Sequence, residues 1–312
     1  MKLVLEITSG NGRLIDRIEV LTPITAYVLT FPKMYVLCTR AKDIRQLFNR
    51  LEDIRNKISQ DADNRTILLN AEKLGKKLVI YFAAYELIAP ILLLIFKTIH
   101  EYFTDFETRR FVIQICIPWN TDEIWAYLVA NVFVNVMAFT CCMALVMFAG
   151  VELSFTFQTS ACLKILQSYF ENRGPADQVV YQYHDRLIQI INDYNNIFSE
   201  TMFVETLFAP LMPCGYSMTL IRSLRKKHFN ELAPGIVKVF GCMFPFIITL
   251  SCGQEVNTQV ERLHESSYTS NWYEETPKVR RDLLMLMIRT TKPTTVNYRL
   301  FIKFNRECLA SV

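Results

Sequence analysis

The sequence predicts an all-α fold in which several helices cross a lipid bilayer. Two observations support this prediction. Apolar residues make up 51% of the 312-residue chain and charged residues only 21%, so the chain is slightly richer in apolar residues than a typical soluble domain. Residues 124–151 contain no charged side chain, and a helix needs about 20 mostly apolar residues to span a bilayer. We therefore expect a polytopic membrane helix bundle.

Five segments are long and apolar enough to be membrane spans. They are residues 20–38, 78–96, 124–151, 201–221 and 232–252. Apart from 124–151, each contains a single charged residue, which in chain order is Lys33, Glu86, Glu205 and Lys238. Proline occurs inside several of the segments, and helices in lipid tolerate proline better than soluble helices do. Three of the charges lie close to span ends, where a long side chain can reach the interface.

Basic residues predict the orientation of the spans. Of the 34 Lys and Arg residues, 22 lie in residues 39–77, 152–200 and 253–312. Loops with an excess of basic residues stay in the cytosol, so we expect these three segments to be cytosolic. Their apolar residues recur every three or four positions, which indicates helices. We therefore expect a transmembrane bundle at 1–252, with helical linkers at 39–77 and 152–200, and a cytosolic anchor region at 253–312.

Residues 40–58 combine an apolar stripe with many basic residues, and two interpretations are open. The helix either packs against neighbouring cytosolic helices or binds calmodulin or lipid headgroups. The acidic residues Asp43, Glu52 and Asp53 dilute its positive charge, which favours packing.

No sequence pattern predicts an enzyme, a cofactor or a metal site. Nucleotide-binding glycine motifs and the nucleophile motif GxSxG do not occur in the sequence. Two His-Glu pairs, at residues 100 and 264, begin an HExxH zinc motif, but its last position holds Thr104 or Tyr268. The net charge of +4 is too modest to imply a nucleic-acid partner.

Glu86 is the charged residue that lies near the middle of a predicted span. An ionised carboxylate at that depth is unfavourable unless it faces a polar cavity, a partner or water. Two roles are equally compatible with the sequence. The side chain either makes a structural hydrogen bond within the bundle or faces a ligand or an ion.

The C-terminal region resembles that of a known family. It contains, in order, Ser266, Tyr268, Trp272-Tyr273, Leu283-Leu284, Arg289 and Lys292-Pro293. This order resembles the C-terminal signature of insect odorant receptors. Pro118-Trp119 resembles that family's second outer loop, and residues 184–198 resemble its cytosolic linker before the fifth helix.

The resemblance implies seven spans, of which the five predicted above are the second to the sixth. The first helix and most of the seventh are then expected outside these 312 residues. It also implies a function. The chain is expected to bind volatile odorants and to gate a cation channel together with a shared co-receptor subunit. The resemblance places this heterotetramer in the plasma membrane of olfactory neuron dendrites.

The resemblance further implies two sets of site residues. Odorants are expected in the outer half of the bundle, at Tyr27, Ile88, Leu92, Tyr127, Phe133, Met137, Phe240 and Phe244, and at Glu86 if it faces the ligand. The subunit anchor is expected at Trp272, Tyr273, Leu283, Leu284, Leu286 and Met287. Apart from Tyr273, we expect the anchor residues to be buried against cytosolic helices.

Three other functions are open at this stage. A gustatory receptor of the same superfamily would gate without the shared subunit. A transporter would more naturally show an internal repeat, and the sequence has none. A G-protein-coupled receptor would place residues 39–77 outside the cell, which their ten basic residues disfavour.

Overall fold

The part of the protein that the structure describes is almost entirely helical, which confirms the predicted all-α fold class. The computed structural model describes residues 14–59, 61–103, 123–173, 178–225, 232–291, 297–298 and 302–303. The α-helices are α1 (Leu14–Thr39), α2 (Ala41–Ile58), α3 (Ala62–Phe103), α4 (Ile124–Arg173), α5 (Gln178–Phe208), α6 (Leu211–Arg225), α7 (Leu232–Thr269) and α8 (Pro277–Thr291). A short 3-10 helix, Trp272–Glu274, precedes α8.

Two short strands follow α8. They are β1 (Asn297–Tyr298) and β2 (Ile302–Lys303). The strands pair in antiparallel fashion, with Asn297 opposite Lys303 and Tyr298 opposite Ile302. A two-stranded ribbon of this length adds little stability by itself.

The chain folds into two compact units, each assembled from segments that are distant in sequence. The first unit contains Met1–Met34, Tyr81–Phe148 and Phe203–Phe246. The second unit contains Tyr35–Ile80, Ala149–Met202 and Ile247–Val312. This division differs from the expected one, which grouped the linkers 39–77 and 152–200 with the bundle. The structure groups both linkers with the C-terminal segment, because their apolar stripes form one core.

The core of the second unit follows the helical periodicity seen in the sequence. In α2, five apolar residues at three- and four-residue spacing are all buried: Ile44, Leu47, Leu51, Ile54 and Ile58. The charged residues of α2 occupy the other face. Phe155 of α4 is buried in the same unit, and its ring stacks on Tyr194 of α5 with centroids 4.0 Å apart. Burying these side chains is the main favourable term for this unit.

Basic residues of α2 pair with carboxylates on other helices of the second unit. The Arg50 guanidinium donates a 2.6 Å hydrogen bond to Asp193, and Arg55 donates one of 3.3 Å to Glu72. A hydrogen bond from Lys76, with the charges of Lys76 and Arg55, lowers the pKa of the Glu72 carboxyl below its ordinary value. These contacts favour packing as the role of the basic stripe, because they occupy two of its guanidinium groups.

The first unit has many large apolar side chains on its surface. Examples on α4 are Val129, Phe133 and Met147, all exposed. Exposed apolar surface of this extent marks contact with lipid or with another protein. Among the described residues, two helical stretches are long and apolar enough to cross a membrane, Trp125–Asn172 and Leu232–Thr269. Ile24–Thr39 is a shorter apolar helix.

The predicted span at residues 201–221 is not one continuous helix. Helix α5 ends at Phe208 and α6 begins at Leu211. Pro210 lies at the break, where its missing N–H and its ring are incompatible with an uninterrupted helix. Pro90 and Pro245, in contrast, lie inside α3 and α7.

The aromatic stack in the second unit gives a stability prediction. We expect Phe155→Ala to lower the free energy of unfolding by about 3–5 kcal/mol, because it leaves a cavity beside Tyr194. The measurement is denaturant titration of the purified chain in detergent. Tyr268→Ala is the matched control, since Tyr268 is an exposed aromatic residue of the same unit. Equal destabilisation by both substitutions would contradict this account of the core.

Candidate ligand-binding site

A cavity of about 580 Å³ lies inside the first unit. Its walls come from α1, α3, α4, α6 and α7, with Glu205 added from α5. Most lining side chains are small or aliphatic, for example Ala89, Ala138 and Gly241. A cavity of this size and character suits a small, mostly apolar molecule.

The lining residues follow helical spacing. On α4 they include Val132, Val136, Phe139 and Cys142, which recur every three or four positions. Side chains at this spacing share one face of a helix. Each helix therefore lines the cavity with one face, and its other faces do not contact the cavity.

A buried ion pair forms part of the cavity wall. Lys33 Nζ of α1 donates a 2.8 Å hydrogen bond to Glu205 Oε1 of α5, and both side chains are only 4% exposed. The ammonium group also lies 4.6 Å from the centre of the Phe148 ring. A charged pair at this depth is maintained by direct contact, because each partner alone would be a buried, uncompensated charge.

The pairing corrects the interpretation of these two residues from the sequence. The sequence indicated that Lys33 and Glu205 would extend toward the membrane interface. Instead, the two side chains meet inside the first unit. Opposite charges in two otherwise apolar spans were the signal available in the sequence, but spacing along the chain does not reveal which spans are neighbours.

Three polar atoms of cavity-lining residues have no hydrogen-bond partner among the described residues: Glu205 Oε2, Glu86 Oε1 and the Tyr27 hydroxyl group. Glu86 of α3 is 5% exposed, and its Oε1 atom has no hydrogen-bond partner among the described residues. The hydroxyl group of Tyr27 on α1 is likewise unpartnered within the described part of the chain. The positive charge of Lys33 acts on the Glu86 carboxyl group. Of the two roles open for Glu86, this position favours contact with a ligand.

The structure brings only two of the expected ligand-binding residues to the cavity, Tyr27 and Glu86. It does not place the other seven on that wall: Ile88, Leu92, Tyr127, Phe133, Met137, Phe240 and Phe244. Helix phase explains the difference. Gly241 and Pro245 line the cavity, and the preceding residues Phe240 and Phe244 lie about 100° away around α7. Phe244 stacks on Phe82, with ring centroids 5.7 Å apart.

The expected anchor residues separate into two groups in α8 and the turn before it. Leu283 and Leu286 are buried within the chain, and Met287 is partly buried. In the single chain Trp272 is 37% exposed and Leu284 is 56% exposed, so this chain's own described helices do not bury them. Their burial in a subunit anchor stays a prediction. Tyr273 is also exposed. The apolar run of α8 supplies two helix faces, and only one of them packs inside the chain.

The buried face of α8 is fixed by a hydrogen bond as well as by apolar packing. His264 Nδ1 of α7 and Thr290 Oγ1 of α8 are 2.7 Å apart. The opposite face presents Leu284, Met285 and Ile288, all exposed.

Metal binding finds no support in the part of the chain that the structure describes. No group of three or more His, Cys, Asp or Glu side chains there could hold a metal ion.

Comparison with known proteins gives a consistent result. A sequence model of the family described as 7tm odorant receptor matches residues 14–312. Odorant receptor 85c of Drosophila melanogaster is 19% identical over 333 aligned residues, which cover 99% of this chain and 82% of that protein.

Two solved structures are similar to this one. The insect olfactory receptor OR5 from Machilis hrabei superposes with a TM-score of 0.78 at 14% identity, covering 99% of this chain and 81% of that chain. Its complex with eugenol superposes with a TM-score of 0.76 at 13% identity, covering 97% and 80% respectively. At this level of identity the similarity shows a shared fold.

The buried ion pair gives a second stability prediction. We expect Lys33→Met to lower the free energy of unfolding by about 3–5 kcal/mol, because Glu205 is left buried without its cation. The double variant Lys33→Met with Glu205→Met should recover most of that loss, since neither member of the ion pair is left buried without its partner. Denaturant titration in detergent measures both.

Arg50→Met is the matched control for the ion pair, because it breaks the more exposed pair with Asp193. An exposed pair contributes at most about 1 kcal/mol. A double variant as unstable as the single Lys33→Met variant would contradict the assignment.

Proposed function

Because the chain belongs to the 7tm odorant receptor family, we propose that the cavity of the first unit binds volatile odorants. The chain is a multi-pass membrane receptor and not an enzyme. The observation that carries the proposal is the cavity itself, at about 580 Å³ and with mainly small or aliphatic walls. Ligand pockets are typically about 300–1,000 Å³.

The chemistry of the walls fits this class of ligand. Small apolar molecules gain affinity mainly by burying surface, about 25 cal/mol for each Å². A few polar groups in such a pocket then fix the ligand's orientation. The related OR5 from Machilis hrabei has been solved in complex with eugenol, a molecule of this general kind.

We also propose that the chain works in a complex. In this proposal it gates a cation channel together with the family's co-receptor subunit, in a heterotetramer in the plasma membrane of olfactory neuron dendrites. The exposed face of α8, formed by Leu284, Met285 and Ile288, supports the assembly step. An apolar face of this kind outside the predicted spans is unfavourable in water and is stabilised by a partner surface. Trp272 and Tyr273 extend the exposed apolar surface beside it.

The rival functions have less support. The family model that matches 14–312 is that of odorant receptors. It favours this function over a gustatory receptor, a transporter or a G-protein-coupled receptor.

Filling the cavity tests the ligand site. A Cβ atom at Gly241 would meet nothing within 4 Å, so Gly241→Leu puts its side chain into open space on the cavity wall. We expect the variant to fold and to require roughly tenfold more odorant for half-saturation, which corresponds to about 1.4 kcal/mol of binding free energy. The measurement is odorant binding to the purified chain in lipid nanodiscs, with eugenol included in the panel.

Phe240→Leu is the matched control for this experiment. Phe240 is adjacent on α7, is exposed and does not line the cavity, so its variant should bind odorants like the original chain. Unchanged affinity of Gly241→Leu for every odorant that binds would show that the ligand binds elsewhere.

A charge on the exposed face of α8 tests assembly. Leu284→Glu should reduce co-purification with the co-receptor, because a carboxylate would be buried without a partner at that contact. Lys278→Glu changes charge at an exposed polar position of the same helix and serves as the control. If Leu284→Glu is captured as efficiently as the control, this face is not the contact.

A further inference from the structure

We infer that the cavity contains a polar subsite, formed by the Glu86 carboxyl group and the Tyr27 hydroxyl group, that binds the basic nitrogen of a small aliphatic amine. This inference rests on the proposed odorant-binding function and narrows it. It assigns this receptor to amines among the many volatile molecules that an apolar cavity could admit.

The first argument is the placement of unsatisfied polar atoms. Glu86 is only 5% exposed, and it lies on the cavity wall. Its Oε1 atom has no hydrogen-bond partner among the described residues, and neither has the Tyr27 hydroxyl group. A buried polar group without a partner is unfavourable by about 1–3 kcal/mol, more if it is charged. A ligand that donates hydrogen bonds at this wall would remove that penalty.

The second argument is the balance of charge around the cavity. Lys33 and Glu205 form an ion pair, so their charges compensate each other. The charge of Lys33 also attracts the Glu86 carboxylate, but the Lys33 Nζ atom donates its hydrogen bond to Glu205 Oε1. Lys238 lines the cavity from α7 and has interactions of its own. The net charge of the Lys33–Glu205 pair is therefore already zero. A cationic ligand would compensate the negative charge of an ionised Glu86 carboxylate beside that pair.

An amine matches this subsite through simple proton chemistry. If Glu86 is ionised, an ammonium ion binds it directly. If Glu86 is protonated, its proton passes to the nitrogen of a neutral amine. Both routes give the same ion pair between carboxylate and ammonium, with no other reactant. The ammonium has further N–H donors, and the Tyr27 oxygen accepts one of them.

Other ligand heads fit less well. A carboxylic acid in its ionised form would approach the carboxyl groups of both Glu86 and Glu205, and like charges at short range repel. An alcohol donates one hydrogen bond but supplies no charge. An ammonium head offers both, and its alkyl chain can lie on the aliphatic wall of α3 formed by Ile91 and Leu94.

A matched ligand series tests the inference on the unmodified chain. Residues 1–312 are purified into lipid nanodiscs, and binding of hexylamine, hexan-1-ol and hexanoic acid is measured by calorimetry against empty nanodiscs. The three probes share an alkyl chain and differ in their heads. We expect hexylamine to bind at least about tenfold more tightly than hexan-1-ol, and hexanoic acid to bind most weakly.

Substitutions then connect the preference to the subsite. Glu86→Gln retains size and hydrogen bonding but removes the charge, so hexylamine should lose its advantage and bind no more tightly than hexan-1-ol. Tyr27→Phe should weaken hexylamine binding while preserving the ring. Glu261→Gln removes an exposed carboxylate in the second unit and should change neither affinity.

The outcomes separate this inference from the function on which it rests. If hexan-1-ol binds as tightly as hexylamine, the amine subsite is wrong and the odorant cavity stands. If hexylamine is preferred but Glu86→Gln keeps the preference, the subsite is also wrong. If no probe binds, the odorant cavity itself is wrong and the subsite is rejected with it. If Glu86→Gln does not fold, the ligand series on the unmodified chain decides.

Discussion

The buried ion pair between Lys33 and Glu205 is the interaction on which the first unit depends. Two charged side chains that are almost fully excluded from solvent have one favourable arrangement, in which they touch. Their contact fixes the rotation of α1 and α5 about their axes and therefore fixes which side chains of those helices reach the cavity. The ring of Phe148 beside the ammonium group limits the arrangement further. Apolar side chains can pack in several arrangements of similar energy. The two buried charges are stable only in the arrangement in which they contact each other.

The sequence predicts the helices far better than it predicts their faces. In α2, charged residues alternate with an apolar stripe, so the buried positions Leu47, Leu51 and Ile54 can be read directly from the spacing. In the span of α4 no charge marks an outer face, since lipid and protein both accept apolar side chains. The sequence therefore does not distinguish Phe133, which does not line the cavity, from Val132, which does. The large aromatic residues expected as ligand contacts, Phe133, Phe240 and Phe244, do not line this cavity, and their role as ligand contacts stays a prediction.

The same ambiguity affects α8. Leu283 and Leu284 are adjacent in the sequence and chemically identical, yet one is 1% exposed and the other 56%. The uninterrupted run of apolar residues predicts that α8 packs against another surface. It does not predict which face of α8 packs inside the chain. The hydrogen bond between His264 and Thr290 shows the inward side, and residues that far apart in sequence give no sign of pairing. Tyr27 and Glu86 do line the cavity, and their role as ligand contacts stays a prediction. Each has a polar group in an apolar span, and the exclusion of such groups from lipid is a strong constraint.

The small residues on the cavity wall have a consequence for how the ligand range of this receptor can diversify. Ala26, Ala89, Ala138 and Gly241 lie at positions where one or two added carbon atoms reshape the cavity. Phe244, whose ring stacks on Phe82, does not line the cavity. Under the proposed function, these small wall residues are therefore distinct from the aromatic residues that pack between helices. A single point mutation can retune the preferred odorant while the aromatic contacts between helices keep their arrangement, so new receptors can arise by small steps from an intact scaffold.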